Sequence, residues 1–176
     1  GRQDIQCAIV GSGTALPDLR RLAAELDLAD YVTFRGFQSG APLMASLSTF
    51  DIGVIPDPKN VYNDKISMNK HFEYMSLGIP FVQFDLAEGR KIAADASLYA
   101  RDNDPRDLAA NMARLIDDEA LRSKLAAKSR ARVEAIVRWE PERARLLAAY
   151  ELALKGVRGG AKSDARTPSG VPVVSK

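Results

Sequence analysis

The sequence predicts an α/β fold: a parallel sheet with helices on both faces and a helical C-terminal end. Short apolar, β-branched runs recur as far as residue 100, each closed by glycine or proline, as buried strands are. Between them lie segments with apolar residues at helical spacing, so strands and helices alternate as βαβ units do. From Asp104 onward the pattern is helical only.

Each element follows from its own residues. Ile5-Gln6-Cys7-Ala8-Ile9-Val10 reads as a buried strand bounded by Gly11-Ser12-Gly13, with Cys7 inside it. Thr14 is suited to cap the next helix and Pro17 to its first turn, with Leu19, Leu22, Ala23 and Leu26 on one face. Tyr31 to Phe34 is a second strand, closed by Arg35-Gly36-Phe37, and Pro42 to Leu47 a short helix. Asp51 to Ile55 is a third strand, stopped by Pro56-Asp57-Pro58 and followed by a polar loop. A helix spans about Met68 to Leu77, its apolar stripe formed by Met68, Phe72 and Met75. Gly78 is its stop and Pro80 prevents continuation. Phe81 to Phe84 and Ser97 to Ala100 complete the strands, with a helical turn from Glu88 to Ala94 between them.

Asp104-Pro105-Arg106-Asp107 is a capped helix start, with Leu108, Met112, Leu115 and Ile116 inward. Further helices run from Asp118 to Ile136 and from about Pro141, the last with Leu146, Leu147, Tyr150 and Leu152 as its apolar residues. The domain is therefore expected over residues 1–155. Residues 156–176 lose periodicity, gain Gly, Ser and Pro, and are expected to be a disordered tail.

Composition sets outer bounds. The 176 residues suffice for one domain with a real core. A net charge of +2 gives no argument for nucleic acid. One cysteine and one histidine cannot build a structural zinc site, and no metal is expected. No apolar run approaches the ~20 residues needed to span a bilayer. The chain starts at Gly1, just before its first strand, as a piece of a longer protein would.

In an open parallel sheet, ligands bind beyond the carboxyl ends of the strands. Three stretches qualify. Gly11-Ser12-Gly13 either lets an anion approach a helix start or is a tight strand-to-helix connection. In the Gly36-Phe37-Gln38 turn, a ring and an amide either hold a planar base or form a glycine turn beside a half-exposed Phe. The third is Ser67-Met68-Asn69, which opens a helix. Lys70 puts a cation in its first turn, where the dipole disfavours it unless an anion sits between. Glu73 shares the face of Lys70 and can accept two hydrogen bonds, as a ribose diol requires. The alternative is a solvent-exposed Lys70–Glu73 ion pair. His71, the sole histidine, reads as a helix-surface or wedge residue.

These stretches resemble a known family. Asn69-Lys70-His71-Phe72-Glu73-Tyr74-Met75-Ser76-Leu77-Gly78-Ile79-Pro80 is similar to the NK-x-x-EYM segment of retaining GT-B glycosyltransferases of group 1. Ile9-Val10-Gly11-Ser12-Gly13, Val32-Thr33-Phe34-Arg35-Gly36, Asp51-Ile52-Gly53-Val54-Ile55-Pro56 and Asp102-Asn103-Asp104-Pro105 match further family segments in order. The likeness covers residues 4 to 155. It implies the C-terminal, Rossmann-like, nucleotide-sugar-binding half of a GT-B fold, truncated at its N-terminus, with the N-terminal acceptor domain missing.

By this resemblance Glu73 holds the donor ribose, and Gly36, Phe37 and Gln38 meet the base. Gly11 and Gly13 form a further donor-side turn. Ser67, Met68 and Asn69 face the diphosphate and the transferred sugar, with Lys70 in the catalytic role of stabilising charge on the leaving group. Many relatives carry an acid where this chain has Lys65, and Asp64 next to it is the candidate replacement. Glu88 falls near a loop that lies beside the donor in relatives.

The implied activity is transfer, with retention, of a hexose-type sugar from a nucleoside diphosphate sugar to a saccharide or lipid-linked acceptor. No other cofactor is implied, and the fragment alone is expected to be inactive. The resemblance also implies a cytoplasmic enzyme of polysaccharide synthesis, peripheral at the inner membrane. The rival is a non-catalytic nucleotide- or sugar-binding module, or a degenerate transferase scaffold.

Overall fold

The computed structural model describes residues 2–136 and 138–160. They fall into two compact units, divided between Ala131 and Arg132. The first contains β1 (Cys7–Val10), α1 (Leu16–Glu25), β2 (Val32–Gly36), α2 (Gly40–Leu47), β3 (Gly53–Ile55), α3 (Asn69–Leu77), β4 (Phe81–Phe84), α4 (Ala87–Ala93), β5 (Leu98–Ala100) and α5 (Pro105–Asp117). The boundary lies within α6 (Glu119–Ile136), and α7 (Trp139–Gly160) belongs to the second unit. All observed strand pairs are parallel, as the alternation predicts, but they form two sheets, β1-β2 and β3-β4-β5.

β4 organises the larger sheet because its residues are buried on both faces. Val82 and Phe84 point to one side, where Ala100, Leu108, Leu115 and Leu125 complete a core between the sheet and α5 and α6. Phe81 and Gln83 point to the other, under α3 and α4, because side chains alternate along a strand. There the rings of His71 and Tyr74 lie 6.0 and 5.9 Å from that of Phe81. Gly78 ends α3 in the left-handed conformation, φ 68° and ψ 32°, as expected of the Gly-Ile-Pro stop. The Asp104 carboxylate accepts the amides of Arg106 and Asp107, so the expected cap of α5 forms.

Several expectations are corrected. The buried face of α3 is His71, Tyr74 and Met75, whereas Met68 and Phe72 are only half-buried. The face turns because Gly53 leaves room for the Tyr74 ring, and because His71 finds polar partners inside. Thr14 does not cap α1; Ala15 occupies that position without a side-chain bond. Cys7 is exposed, and α1 buries none of its residues, since β1 pairs with β2 alone. In α7, Leu146, Leu147, Tyr150 and Leu152 are exposed. That helix continues through Gly160, five residues past the expected end at 155. The remainder of the expected tail, 161–176, lies outside the described residues.

The rotated α3 makes stability depend on alkaline pH. Burial pushes the Tyr74 phenol from its ordinary 10.0 up to about 12, and the nearby Glu73 carboxylate adds to the rise. Since the unfolded chain ionises this group first, its contribution is complete below pH 10 and disappears as pH climbs to 12. The loss should reach about 3 kcal/mol. Alkaline unfolding of Tyr74→Phe is expected to lack this part of the decline.

Candidate functional site

The candidate residues are carried by the carboxyl ends of the strands and by the helix starts that follow. Met68, extended at φ −89° and ψ 135°, is the N-cap of α3, and no side chain caps the helix. The amides of Asn69 and Lys70 therefore find no acceptor among the described residues. Two bare N–H groups at the positive end of a helix dipole favour an anion.

Lys70 does not pair with Glu73. Its ammonium lies 2.5 Å from Asp57 Oδ2, at the end of β3. The solvent ion pair between Lys70 and Glu73 is thus not formed. Glu73 is half-buried and makes no hydrogen bond or ion pair with any described residue. A carboxylate in that position has open acceptor capacity for a ligand's hydroxyl groups.

The neighbouring loops converge on the same region. Asn63–Lys65 forms one 3-10 turn, from which Asp64 Oδ1 accepts the Ala87 amide at 2.7 Å. Ser67 Oγ donates to Glu88 Oε1 at 3.1 Å, so the loop before α3 is tied to the start of α4. One Asp64 oxygen is therefore already engaged, and Lys65 beside it is exposed. On the far side of Asp57, Asn103 holds the Lys59 backbone through both amide atoms while Lys59 Nζ sits 2.9 Å from Asp102. The Arg90 guanidinium, bonded to Asp85 at the end of β4, lowers that carboxyl's pKa.

The other candidates gather at the end of the β1-β2 sheet. The Gly11 amide donates to Gly36 O at 2.8 Å, which brings the two glycine turns together. Both have positive φ, 151° and 71°, and a Cβ on either would meet nothing within 4 Å. Their role is conformational freedom and open space above the strand ends. The Gly13 carbonyl accepts the Leu16 amide and starts α1. Phe37 is 74% exposed and can take a stacking partner, whereas the Gln38 amide oxygen already accepts from Ser46 Oγ at 2.6 Å. No hydrogen bond or ion pair among the described residues links this group to Lys70 and Glu73.

Two participants escaped sequence reasoning. Asp57 was legible only as part of the Pro56-Asp57-Pro58 stop, although an acid between prolines at a strand end is a recognisable signal. His71, read as a helix-surface or wedge residue, takes the wedge position and lies fully buried beneath the site.

The sequence profile of the group 1 glycosyl transferases matches residues 1–118. The chain belongs to that family. Among curated relatives of this group 1 chain, the α-D-kanosaminyltransferase of Streptomyces kanamyceticus is 29% identical over 126 residues, 70% of this chain and 31% of that protein. The chain thus spans about a third of that relative's length. Among solved structures, a sucrose-phosphate synthase from Thermosynechococcus elongatus aligns with TM-score 0.71 and 21% identity, over 86% of this chain and 39% of that one. A TarM variant from S. aureus, in complex with fondaparinux, α-GlcNAc-glycerol and UDP, aligns with TM-score 0.72 and 17% identity, over 81% and 28%. At these identities the likeness is one of fold: the group 1 chain is half of the GT-B arrangement.

Proposed function

We propose that this chain is the nucleotide-sugar-binding, C-terminal half of a retaining glycosyltransferase of the NK-x-x-EYM kind. The observation that carries the reading is Glu73, a half-buried carboxylate without a hydrogen-bond or ion-pair partner among the described residues, one helical turn from the bare amides of Asn69 and Lys70. In this reading Glu73 accepts the ribose hydroxyls of the donor. The α3 start and Lys70 take the diphosphate, with Ser67, Met68 and Asn69 beside it. Gly36, Phe37 and Gln38 lie at the base, and Gly11 and Gly13 leave the backbone room. TarM was solved with UDP, which supports a nucleoside diphosphate as the ligand class.

The chemistry then needs little beyond charge and position. The bond from the sugar's anomeric carbon to the diphosphate oxygen breaks as the acceptor oxygen bonds to that carbon on the same face. The acceptor proton passes to the departing diphosphate. Helix amides and Lys70 stabilise the charge developing there. The acceptor, a saccharide or lipid-linked saccharide, is held by a further domain of the complete enzyme, without which this half is inactive. Asp64 takes the contacts that relatives assign to the acid replaced by Lys65. We place the enzyme in the cytoplasm, peripheral at the inner membrane, in polysaccharide synthesis. No helix among the described residues is long and apolar enough to cross a membrane.

Calorimetric titration with UDP and GDP tests the reading. Binding by the wild-type chain that Glu73→Ala removes supports it, and binding that this variant leaves intact overturns the ribose role. Asp57 supplies a second measurement, because it competes with a phosphate for Lys70. Asp57→Asn should tighten the nucleotide about threefold. Stability should change by less than about 1 kcal/mol, as the ion pair it breaks is partly exposed. An unchanged or weaker affinity would count against a phosphate at Lys70.

A further inference from the structure

The His71 ring is fully buried between α3, β4 and α4. Its Nδ1 lies 3.2 Å from the carbonyl oxygen of Met68, the N-cap residue, and its Nε2 lies 2.8 Å from Gln83 Oε1 on β4. The ring also meets Phe81 edge-on, with the planes at 71°. The first turn of α3 is therefore fastened to the central strand of the sheet through one imidazole. Gly89 of α4 closes over the pair: a Cβ there would overlap Gln83 Oε1 and come within 3.1 Å of His71 Nε2.

The arrangement is poorly optimised for stability alone. Gln83 Nε2 is buried without a hydrogen-bond partner among the described residues. As placed, the amide thus has its oxygen against the ring and its nitrogen unsatisfied. A buried orphan group costs free energy, and an apolar side chain of the same shape would avoid it. What the pair supplies is direction. The Met68 carbonyl fixed by His71 sits in the peptide plane shared with the Asn69 amide, the first of the two bare N–H groups of α3.

We propose that His71 and Gln83 form a buried positioning pair that aims the first turn of α3 at the diphosphate of the bound nucleotide. This rests on the reading of the chain as a nucleotide-sugar-binding half. Neither residue touches the ligand; both act through the Met68 carbonyl and the amides next to it. Gly89 is the clearance that lets the pair form.

The sole histidine makes the test specific. With 15N-labelled histidine, the two imidazole nitrogens of the 176-residue chain give signals from His71 alone. Addition of saturating UDP or GDP is expected to shift them, because the turn they hold takes up the diphosphate. Gln83→Met exchanges one orphan amide atom for one orphan ring nitrogen in nearly the same volume. Its melting temperature should stay close to that of the wild type while nucleotide affinity falls about tenfold, the effect of a misaimed anion site. Gly89→Ala, which displaces the Gln83 amide, should weaken the nucleotide in the same way. Imidazole signals indifferent to the nucleotide, or Gln83→Met binding it with wild-type affinity, would overturn the positioning role. A wild-type chain that binds neither nucleotide overturns the donor-binding reading and this proposal together. Loss of binding in Glu73→Ala with normal binding in Gln83→Met leaves the first standing and removes the second.

Discussion

Gly53→Val is expected to destabilise the first unit by about 3 kcal/mol, a fall in melting temperature of roughly 10 °C. A Cβ on Gly53 would stand 2.6 to 2.9 Å from three ring carbons of Tyr74. That ring cannot retreat, because it is 9% exposed and lies against Phe81, which is fully buried. The backbone at Gly53 has no positive φ, so the cost arises from volume and not from dihedral strain. Gly53 is also fixed by its amide, which donates to the Pro80 carbonyl at 2.9 Å. Denaturant unfolding of Gly53→Val, Tyr74→Leu and the double variant separates these causes. If the clash is the cause, the smaller side chain at 74 recovers part of the loss, and the two changes are non-additive. A cost below about 1 kcal/mol in Gly53→Val would show that Tyr74 does not fill the space above β3.

The same contact shows what could be read from the sequence. β4 and the end of α3 were legible because their information is local: a continuous apolar run, and Gly-Ile-Pro to end the helix. The inward face of α3 was not. Met68, Phe72 and Met75 are the more apolar stripe, yet His71 and Tyr74 are buried in place of Met68 and Phe72. Two long-range facts reverse the local preference, the missing side chain at Gly53 and the amide of Gln83. Neither is visible in the helix itself. Strand pairing was out of reach in the same way: alternation predicts parallel strands but does not dictate that β1-β2 and β3-β4-β5 form separate sheets.

At the candidate site, Lys70 and Glu73 were found from their position in a first helical turn, and helix spacing allowed them to neutralise one another. The structure gives Lys70 to Asp57, thirteen residues earlier, and leaves Glu73 without a hydrogen-bond or ion-pair partner among the described residues. That choice depends on where the loop after β3 runs, which Asn103 and Asp102 fix through Lys59 from a distance of forty-odd positions in the chain. Local spacing identified the residues, and tertiary contacts decided which of them stays available.

That availability sets the second large effect. Glu73→Ala is expected to lower the affinity for UDP or GDP about 100-fold, because two hydrogen bonds to a charged acceptor are lost at a combined net value of about 3 kcal/mol. Glu73→Gln keeps one acceptor oxygen without the charge and should fall between, at about tenfold. Neither substitution breaks a hydrogen bond or ion pair, since Glu73 makes none with the described residues, and alanine favours the helix. Melting temperature should hold or rise, so weaker binding cannot be assigned to unfolding. Removing the carboxylate also removes one of the causes that raise the Tyr74 phenol, and its alkaline titration should move down slightly in the variant. The deciding comparison uses 2′-deoxynucleoside diphosphates. If Glu73 holds the ribose diol, the wild-type chain loses affinity for the deoxy ligand and the gap between wild type and Glu73→Ala narrows to about tenfold, the worth of the one remaining bond. If the gap is the same for ribose and deoxyribose, Glu73 acts on another part of the nucleotide, and the assignment of this carboxylate to the sugar hydroxyls is wrong.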